Sequence, residues 1–272
     1  MRIIKHHKFG TVNGFELGYA PVGKPWMTVY FYILDDTMID SGQSHMRRAV
    51  LKIISAYNIK QLLITHHHED HSGNAAAVKK ALQIPVYAHA LCAAKMKKAF
   101  NILPYQKYVW GAPDPVDILP LPTMITTSKR KLKPIFVPGH SKDLTVYLEA
   151  NEGWLFTGDL YLGDRIKYFR VDEKINDQIT STKKILKYDF DVLYCAHRPR
   201  LKNGKKHMQN KLDFLQSFVH TVQTLNKQGM SVNEIVQHLP VKESNGLKTF
   251  TFGNVSLKNM VLSVFNRQGQ CQ

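Results

Sequence analysis

Residues 59–71 read Ile-Lys-Gln-Leu-Leu-Ile-Thr-His-His-His-Glu-Asp-His, and this stretch decides the fold that we predict. Its first half is short and rich in branched aliphatic side chains, which is typical of a buried β-strand. Its second half sets imidazoles and carboxylates at the point where that strand ends. These groups are too many for one tetrahedral metal with closed coordination, so they indicate two neighbouring metal ions with an open position for water.

Alternation within the motif divides its side chains between the two ions. His66 and His68 can share one ion, while Asp70 and His71 point toward the second. His67 alternates with these residues and is predicted to point away, toward a supporting or solvent position. A solvated histidine cluster of the purification-tag kind is the alternative. It is disfavoured because such tags lie at chain termini and lack the interposed aspartate.

Three further candidate ligands each come directly after an apolar run, namely His140, Asp159 and His197. A histidine after a strand is weak evidence by itself, since most such residues lie at the surface or make ordinary hydrogen bonds. The same arrangement occurs four times in this chain once residues 65–71 are included. The repetition indicates one composite site to which several strand ends contribute.

Together these elements resemble the metallo-β-lactamase superfamily of metallohydrolases. The resemblance covers roughly residues 10–200. Five elements carry it in the family's order: Asp40 in Ile39-Asp40-Ser41-Gly42, the motif at 65–71, Pro-Gly-His at 138–140, Gly-Asp at 158–159, and His197. It implies a hydrolase with two divalent ions. Zinc is favoured by the ligand types, and iron or manganese are alternatives because imidazole and carboxylate accept all three.

The resemblance also implies a role for each matching residue. It assigns the first metal site to His66, His68 and His140, and the second to Asp70, His71 and His197, with Asp159 bridging. Asp70 is then expected to aim the attacking water, and Asp40 to orient a ligand or its loop. Tyr161 is a candidate donor to the developing oxyanion, with a packed structural tyrosine as the alternative. These residues are the predicted catalytic set: Asp70, Asp40 and Tyr161.

The order of predicted elements indicates an α/β fold in which two sheets are covered by helices. We expect the four-layer αββα sandwich of the metallo-β-lactamase type, formed by residues 1–203 as the metal-binding catalytic domain. Residues 204–272 are predicted to form a helical C-terminal subdomain. Two shorter predictions accompany this division. Ser44 is expected to cap a helix that runs to about Tyr57, and the Pro-rich, aromatic segment 101–123 is a candidate pocket wall, with simple surface covering as the alternative.

Composition excludes some classes of protein. The chain has 272 residues of which 44% are hydrophobic, no run approaches the length of a membrane span, and no signal-peptide core is recognisable. The three cysteines, Cys92, Cys195 and Cys271, are too few for a disulfide framework. We therefore expect a cytoplasmic protein that does not associate with membranes. Cys195 lies two residues before His197 and is a candidate ligand, although a small buried side chain is favoured.

Charge is the main indication of substrate. The net charge is +16, and the cations Arg198, Arg200 and Lys202 follow directly on His197. A second run (Arg165, Lys167 and Arg170) follows Asp159. Both runs leave the predicted metal centre, which indicates a positive rim that steers anionic substrates. A generally basic surface is the alternative.

Three function classes fit the motifs. The first is an ester, thioester or lactone hydrolase resembling hydroxyacylglutathione hydrolase, the second a nuclease or phosphodiesterase favoured by the positive charge, and the third a redox or non-catalytic member. The third is disfavoured because no ligand is missing and no partner domain is present. We predict the first class, acting on a small anionic molecule, because no aromatic-interleaved basic platform for single strands is visible. Nucleic acid remains the alternative partner, and the oligomeric state is not predicted.

Overall fold

The structure, a computed structural model, describes residues 1–265. Its first sheet has seven strands in chain order: β1 (Arg2–Phe9), β2 (Val12–Tyr19), β3 (Val29–Leu34), β4 (Thr37–Ile39), β5 (Gln61–Leu63), β6 (Val86–Ala88) and β7 (Leu119–Pro120). Neighbouring strands are antiparallel from β1 to β4 and parallel from β4 to β7. The parallel half therefore brings the carboxyl ends of β4 and β5 to one edge.

The remaining strands are β8 (Ile125–Thr126), β9 (Lys131–Phe136), β10 (Thr145–Glu149), β11 (Trp154–Gly158), β12 (Phe169–Arg170), β13 (Val192–Cys195) and β14 (Val255–Ser256). Five of them form the second sheet in the order β13-β11-β10-β9-β8, in which β11 and β13 run parallel. The short strands β12 and β14 pair with each other.

Residues 1–265 also form ten α-helices: α1 (Arg47–Ile54), α2 (Glu69–Ser72), α3 (Ala75–Leu82), α4 (Ala90–Met96), α5 (Pro104–Val109), α6 (Ile175–Ile185), α7 (Gly204–Lys227), α8 (Val232–His238), α9 (Asn245–Phe250) and α10 (Leu257–Phe265). In this part of the chain no helix combines the length and the apolar character that crossing a membrane requires.

Three buried clusters explain the layering. Apolar side chains of both sheets, such as Tyr32 and Leu63 from the first and Tyr147 and Phe156 from the second, pack face to face. The outer face of the first sheet is covered by α1, α3 and α4, and that of the second by α6 and α7. The predicted four-layer αββα sandwich is confirmed.

The C-terminal helices have an apolar cluster of their own, which also includes Ile166, Phe169 and Ile175 from the preceding part of the chain. The division at residues 203 and 204 stays a prediction, since α7 begins at Gly204 but its packing partners lie on both sides. Cys271 lies outside the described residues, whereas Cys92 and Cys195 are buried free thiols.

The prediction for Ser44 was wrong. Residues 44–46 form a 3-10 turn, and α1 begins only at Arg47 with no side-chain cap. The Ser44 hydroxyl instead donates to the backbone oxygen of Trp110 over 3.4 Å. Because residues 44–46 form the 3-10 turn, Ser44 lies three residues before α1, too far for its side-chain oxygen to accept from the first N–H groups of that helix.

Candidate metal centre

The loop after β5 carries the first four candidate ligands. His66 and His68 lie in the loop itself, and Asp70 and His71 lie in the short helix α2. Two aspartates hold the loop backbone in place. Asp40 Oδ1 accepts the backbone N–H of Thr65 at 2.8 Å, and Asp143 Oδ2 accepts that of His67 at 2.9 Å. Carboxylates that follow strands of both sheets thereby hold the backbone that carries the candidate ligands.

The other three candidate ligands come from strand ends of the second sheet. His140 follows β9, Asp159 follows β11, and His197 follows β13. The parallel pairing of β11 and β13 brings the last two to the same edge. Gly158 allows the close approach to the loop, because its φ is +48° and a Cβ there would lie 2.8 Å from Thr65 Oγ1.

The first group of donor atoms consists of His66, His68, His140 and Asp159, all buried. His68 Nδ1 lies 2.9 Å from His66 Nε2 and 3.1 Å from His140 Nε2. Asp159 Oδ2 lies 3.3 Å from His140 Nε2. The donor atoms of this group lie within 4.8 Å of one another, a spacing that one cation can bridge.

The second group consists of Asp70, His71, Asp159 and His197, again within 4.8 Å. Asp159 Oδ1 lies 3.3 Å from His71 Nε2 and 3.4 Å from His197 Nε2. Asp70 Oδ2 lies 3.4 Å from His197 Nε2. Asp159 thus turns one oxygen toward each group and is the residue that the two groups share.

The far ring nitrogens of three histidines have hydrogen-bond acceptors. Nδ1–H of His71 donates to Asp40 over 2.8 Å, that of His140 to Glu173 over 3.1 Å, and that of His197 to the Thr28 backbone oxygen over 2.7 Å. When these rings are neutral, this tautomer leaves on each Nε2 a lone pair that faces the cluster.

Two of the inward atoms, His71 Nε2 and Asp159 Oδ1, are buried without a hydrogen-bond partner among residues 1–265. Buried polar atoms are rarely left in this state without an ion or another ligand. Together with the oriented tautomers, these atoms make the donor set suited to divalent cations.

The pKa shifts differ among the histidines of the cluster. Burial and the neighbouring His71 lower the pKa of His66 well below its usual value, so its imidazole stays neutral. Burial also disfavours charge on His71 and His197, but the Asp159 carboxylate outweighs it and raises both pKa values well above the usual range. Carboxylates that stabilise imidazolium so strongly also attract a metal cation.

The remaining predicted residues lie around this cluster. Asp40 accepts hydrogen bonds from Thr65 and His71, behind the ligands. His67 points away, as expected, but it is buried and not solvated. Its ring bonds Asp143 over 2.9 Å on one side and accepts from Lys95 Nζ over 2.8 Å on the other.

Tyr161 and Cys195 are directed elsewhere. The Tyr161 hydroxyl donates to Asp164 over 2.5 Å and accepts from Arg200 over 3.3 Å. Its ring is fully buried, and the residue is not among those that line the cavity described next. The Cys195 thiol donates to the Tyr161 backbone oxygen and belongs to neither donor group.

A cavity of about 490 Å³ opens onto the cluster, and His68, Asp70, His140, Asp159 and His197 form part of its lining. Among the predicted substrate residues, Arg198 lines the cavity, and Arg200 and Lys202 do not. Arg165, Lys167 and Arg170 line it as well, as do Tyr105, Val109 and Trp110 from the predicted Pro-rich wall.

Sequence reasoning missed several residues of the site. Thr28 and Glu173 accept hydrogen bonds from His197 and His140, and no pattern of their own marks them in the sequence. Trp26 and Phe250 reach the cavity from a loop and from helix α9, which was not predicted. The aromatic content of residues 101–123 indicated only the predicted part of the cavity lining, Tyr105 and Trp110.

Comparisons with known proteins agree with this geometry. Residues 28–197 match the family model described as the metallo-beta-lactamase superfamily. The probable metallo-hydrolase YybB of Bacillus subtilis is 32% identical over 178 residues, which are 61% of this chain and 77% of that protein. A metallo-beta-lactamase family protein from Thermus thermophilus superimposes with a TM-score of 0.68 at 16% identity, covering 94% and 93% of the two chains, which supports the fold.

Two relatives carry more specific names. An atrochrysone carboxyl ACP thioesterase of Aspergillus fumigatus is 25% identical over 181 residues, or 65% of this chain. A hydroxyacylglutathione hydrolase of Methylobacillus flagellatus is 30% identical over 128 residues, or 46% of this chain. The chain spans 51% and 43% of their respective lengths. On the family match, the fold and the two donor groups, the chain belongs to the metallo-beta-lactamase superfamily and is a metal-binding hydrolase.

Proposed function

We propose that the chain is a binuclear metal-dependent hydrolase that cleaves an ester, thioester or lactone bond in a small anionic molecule. The observation that carries the proposal is the pair of donor groups that share Asp159 beside a cavity. The relatives include a thioesterase and a hydroxyacylglutathione hydrolase, which supports an acyl substrate.

His66, His68 and His140 would hold one ion, and Asp70, His71 and His197 the other, with Asp159 between them. The nitrogen and oxygen donor set favours zinc, with iron or manganese as alternatives. Bound divalent ions supply Lewis acidity and lower the pKa of water toward neutrality. A cytoplasmic location is part of the proposal and is supported by the sparse cysteines.

The chain's own residues orient and activate the reactants. Burial disfavours charge on Asp70, but the neighbouring His71 and His197 lower its pKa, so the carboxylate stays ionised near neutral pH. It lines the cavity, where it can accept a hydrogen bond from the attacking water and aim it at the carbonyl. Asp40 and Glu173 hold His71 and His140 in the productive tautomer.

Arg198 is the proposed contact for the negative part of the substrate, because it lines the cavity and is exposed. Arg200 and Lys202 add to the positive potential from farther away, where they act on the rate of encounter. Tyr161 is left out of the proposed chemistry, because its hydroxyl bonds Asp164.

A screen of the purified protein tests the proposal. The substrates are S-lactoylglutathione, a homoserine lactone, bis-p-nitrophenyl phosphate and single-stranded RNA, and metal content is measured on protein prepared without chelators. We expect about two divalent ions per chain and cleavage of at least one carboxylic ester or thioester. A reproducible metal content near zero in folded protein contradicts the binuclear site.

The second candidate function is a nuclease or phosphodiesterase, favoured by the net charge of +16. Cleavage of the phosphodiester or of RNA, with all carboxylic esters left intact, would establish it in place of the first. The cavity lining includes several apolar side chains, which a phosphodiester does not require. This favours the first candidate.

A further inference from the structure

The cavity beside the metal centre is lined by two chemically different sets of side chains. Exposed cations, Arg165, Lys167 and Arg198, belong to one set. The other set is what we name the apolar wall: Trp26, Tyr105, Trp110, Leu247 and Phe250. The acidic and imidazole ligands thus meet an apolar surface as well as a basic one.

The apolar wall is continuous with the ligands. The Trp110 ring centroid lies 6.4 Å from that of His197, and Trp110 itself is buried. Tyr105 is also buried, and its hydroxyl donates to Asn254 over 2.6 Å, which leaves the ring as its contribution to the cavity. A group bound against these rings is therefore adjacent to the reaction centre.

Phe250 joins the segments that form the wall. Its ring centroid lies 4.6 Å from Trp26 and 6.1 Å from Tyr105, distances typical of favourable aromatic pairs. Trp26 is nevertheless 70% exposed. Large aromatic side chains left in contact with water around a cavity indicate a surface that a ligand covers.

We propose that the apolar wall is the subsite for the acyl group of the substrate. This inference rests on the proposed function and narrows its substrates to thioesters or esters with a medium-length alkyl or aryl acyl group. The leaving half of the substrate is anionic and faces Arg165, Lys167 and Arg198. Water adds to the carbonyl, the carbon–sulfur or carbon–oxygen bond breaks, and the products are the carboxylate, the free thiol or alcohol, and a proton. A small polar acyl group leaves the wall uncovered and is a poorer substrate.

The test compares two thioesters of one common thiol, acetyl-coenzyme A and hexanoyl-coenzyme A, on the metal-loaded full-length protein. Each methylene that enters an apolar site favours binding about fourfold, so kcat/KM for hexanoyl is expected to exceed that for acetyl by at least about tenfold. In Phe250→Ala that ratio should fall at least about threefold. Phe252→Ala is the matched control, since Phe252 is 69% exposed and is not among the cavity-lining residues.

Binding provides a readout that needs no turnover. Titration with hexanoate, the acid product, should change the fluorescence of Trp26 and Trp110 saturably and at lower concentration than acetate, with weaker binding in Phe250→Ala at an unchanged melting temperature. Equal kcat/KM for the two thioesters in the wild type overturns the acyl subsite and leaves hydrolysis intact. If neither thioester is cleaved, the titration decides the subsite, and hexanoate binding no tighter than acetate overturns it. The proposed function itself fails only when S-lactoylglutathione and the lactone are also left intact.

Discussion

The ligand cluster of the cavity comes from strand ends, whereas its apolar wall comes from a loop and helices far apart in the chain. Asp159 and His197 follow the paired strands β11 and β13 by one or two residues, and Asp70 lies in α2, the first helix after β5. Trp26 and Phe250 lie more than two hundred residues apart and meet only through tertiary packing. The difference suggests that the αββα sandwich positions the candidate metal ligands. The loop and helices added to it then determine which substrate is accepted.

The largest effect is expected when the residue that the two donor groups share, Asp159, is removed. Asp159→Ala takes one carboxylate oxygen from each group, so both ions should bind more weakly. Loss of several kcal/mol of transition-state stabilisation corresponds to a fall in kcat/KM of about a thousandfold or more. Metal content and kcat/KM are measured together. Asp189→Ala, at a fully exposed aspartate, is the control, and equal behaviour of the two variants would contradict the bridging role.

The next prediction concerns a residue behind the ligands. Asp40 orients His71 and also accepts the backbone N–H of Thr65. Asp40→Ala should weaken metal affinity by about 10- to 100-fold, as is usual when such an orienting partner is lost. Affinity is measured by competition with a chelator, and Asp40→Asn should recover part of it because an amide still accepts a hydrogen bond. Unchanged affinity in Asp40→Ala would show that the loop alone fixes the ligand.

The sandwich and the clustering of the candidate ligands were predictable because both depend on short-range patterns. The hairpin of β3 and β4 and the turn between β10 and β11 are encoded by neighbouring residues, and each ligand follows an apolar run. Helix α9 was missed because Asn245–Phe250 is short, has only two apolar side chains and has no fully buried member. The partners of the ligands could not be found either, since Glu173 and Thr28 act through geometry that only the folded chain creates.

A smaller effect, on stability, is expected from Asp143, which holds the loop after β5 from the side of the second sheet. Burial raises the pKa of Asp143, but its hydrogen bonds with His67 outweigh this and lower the value to about 2. A folded-state pKa below the unfolded one contributes stability above about pH 4, roughly 2 kcal/mol here, and this is lost as the pH falls from 4 toward 2. Urea unfolding at pH 7 and pH 3 measures it. Asp143→Asn should be less stable than the wild type at pH 7, and the difference should shrink at pH 3.

The smallest expected effect concerns the three cations that follow His197, of which only Arg198 lines the cavity. Replacing Arg198, Arg200 and Lys202 together with Ser should lower kcat/KM severalfold at low salt through slower capture, with kcat nearly unchanged because the ligands are untouched. The loss should shrink as salt rises, since screening at about 0.15 M acts over roughly 8 Å. The charge-matched control replaces three exposed lysines that do not line the cavity: Lys52, Lys80 and Lys187.

The same salt series sharpens the choice between the two proposed substrate classes. A small anion meets few charges at once, so the slope of log kcat/KM against log salt should be shallow and should flatten in the triple variant. A nucleic acid releases a counterion for every phosphate contacted, so its slope is steeper, and each removed cation reduces it by about one. Parallel curves for the wild type, the triple variant and the control would mean that the charge of +16 is general surface character. In that case the apolar wall, and not Arg198, Arg200 and Lys202, distinguishes one substrate from another.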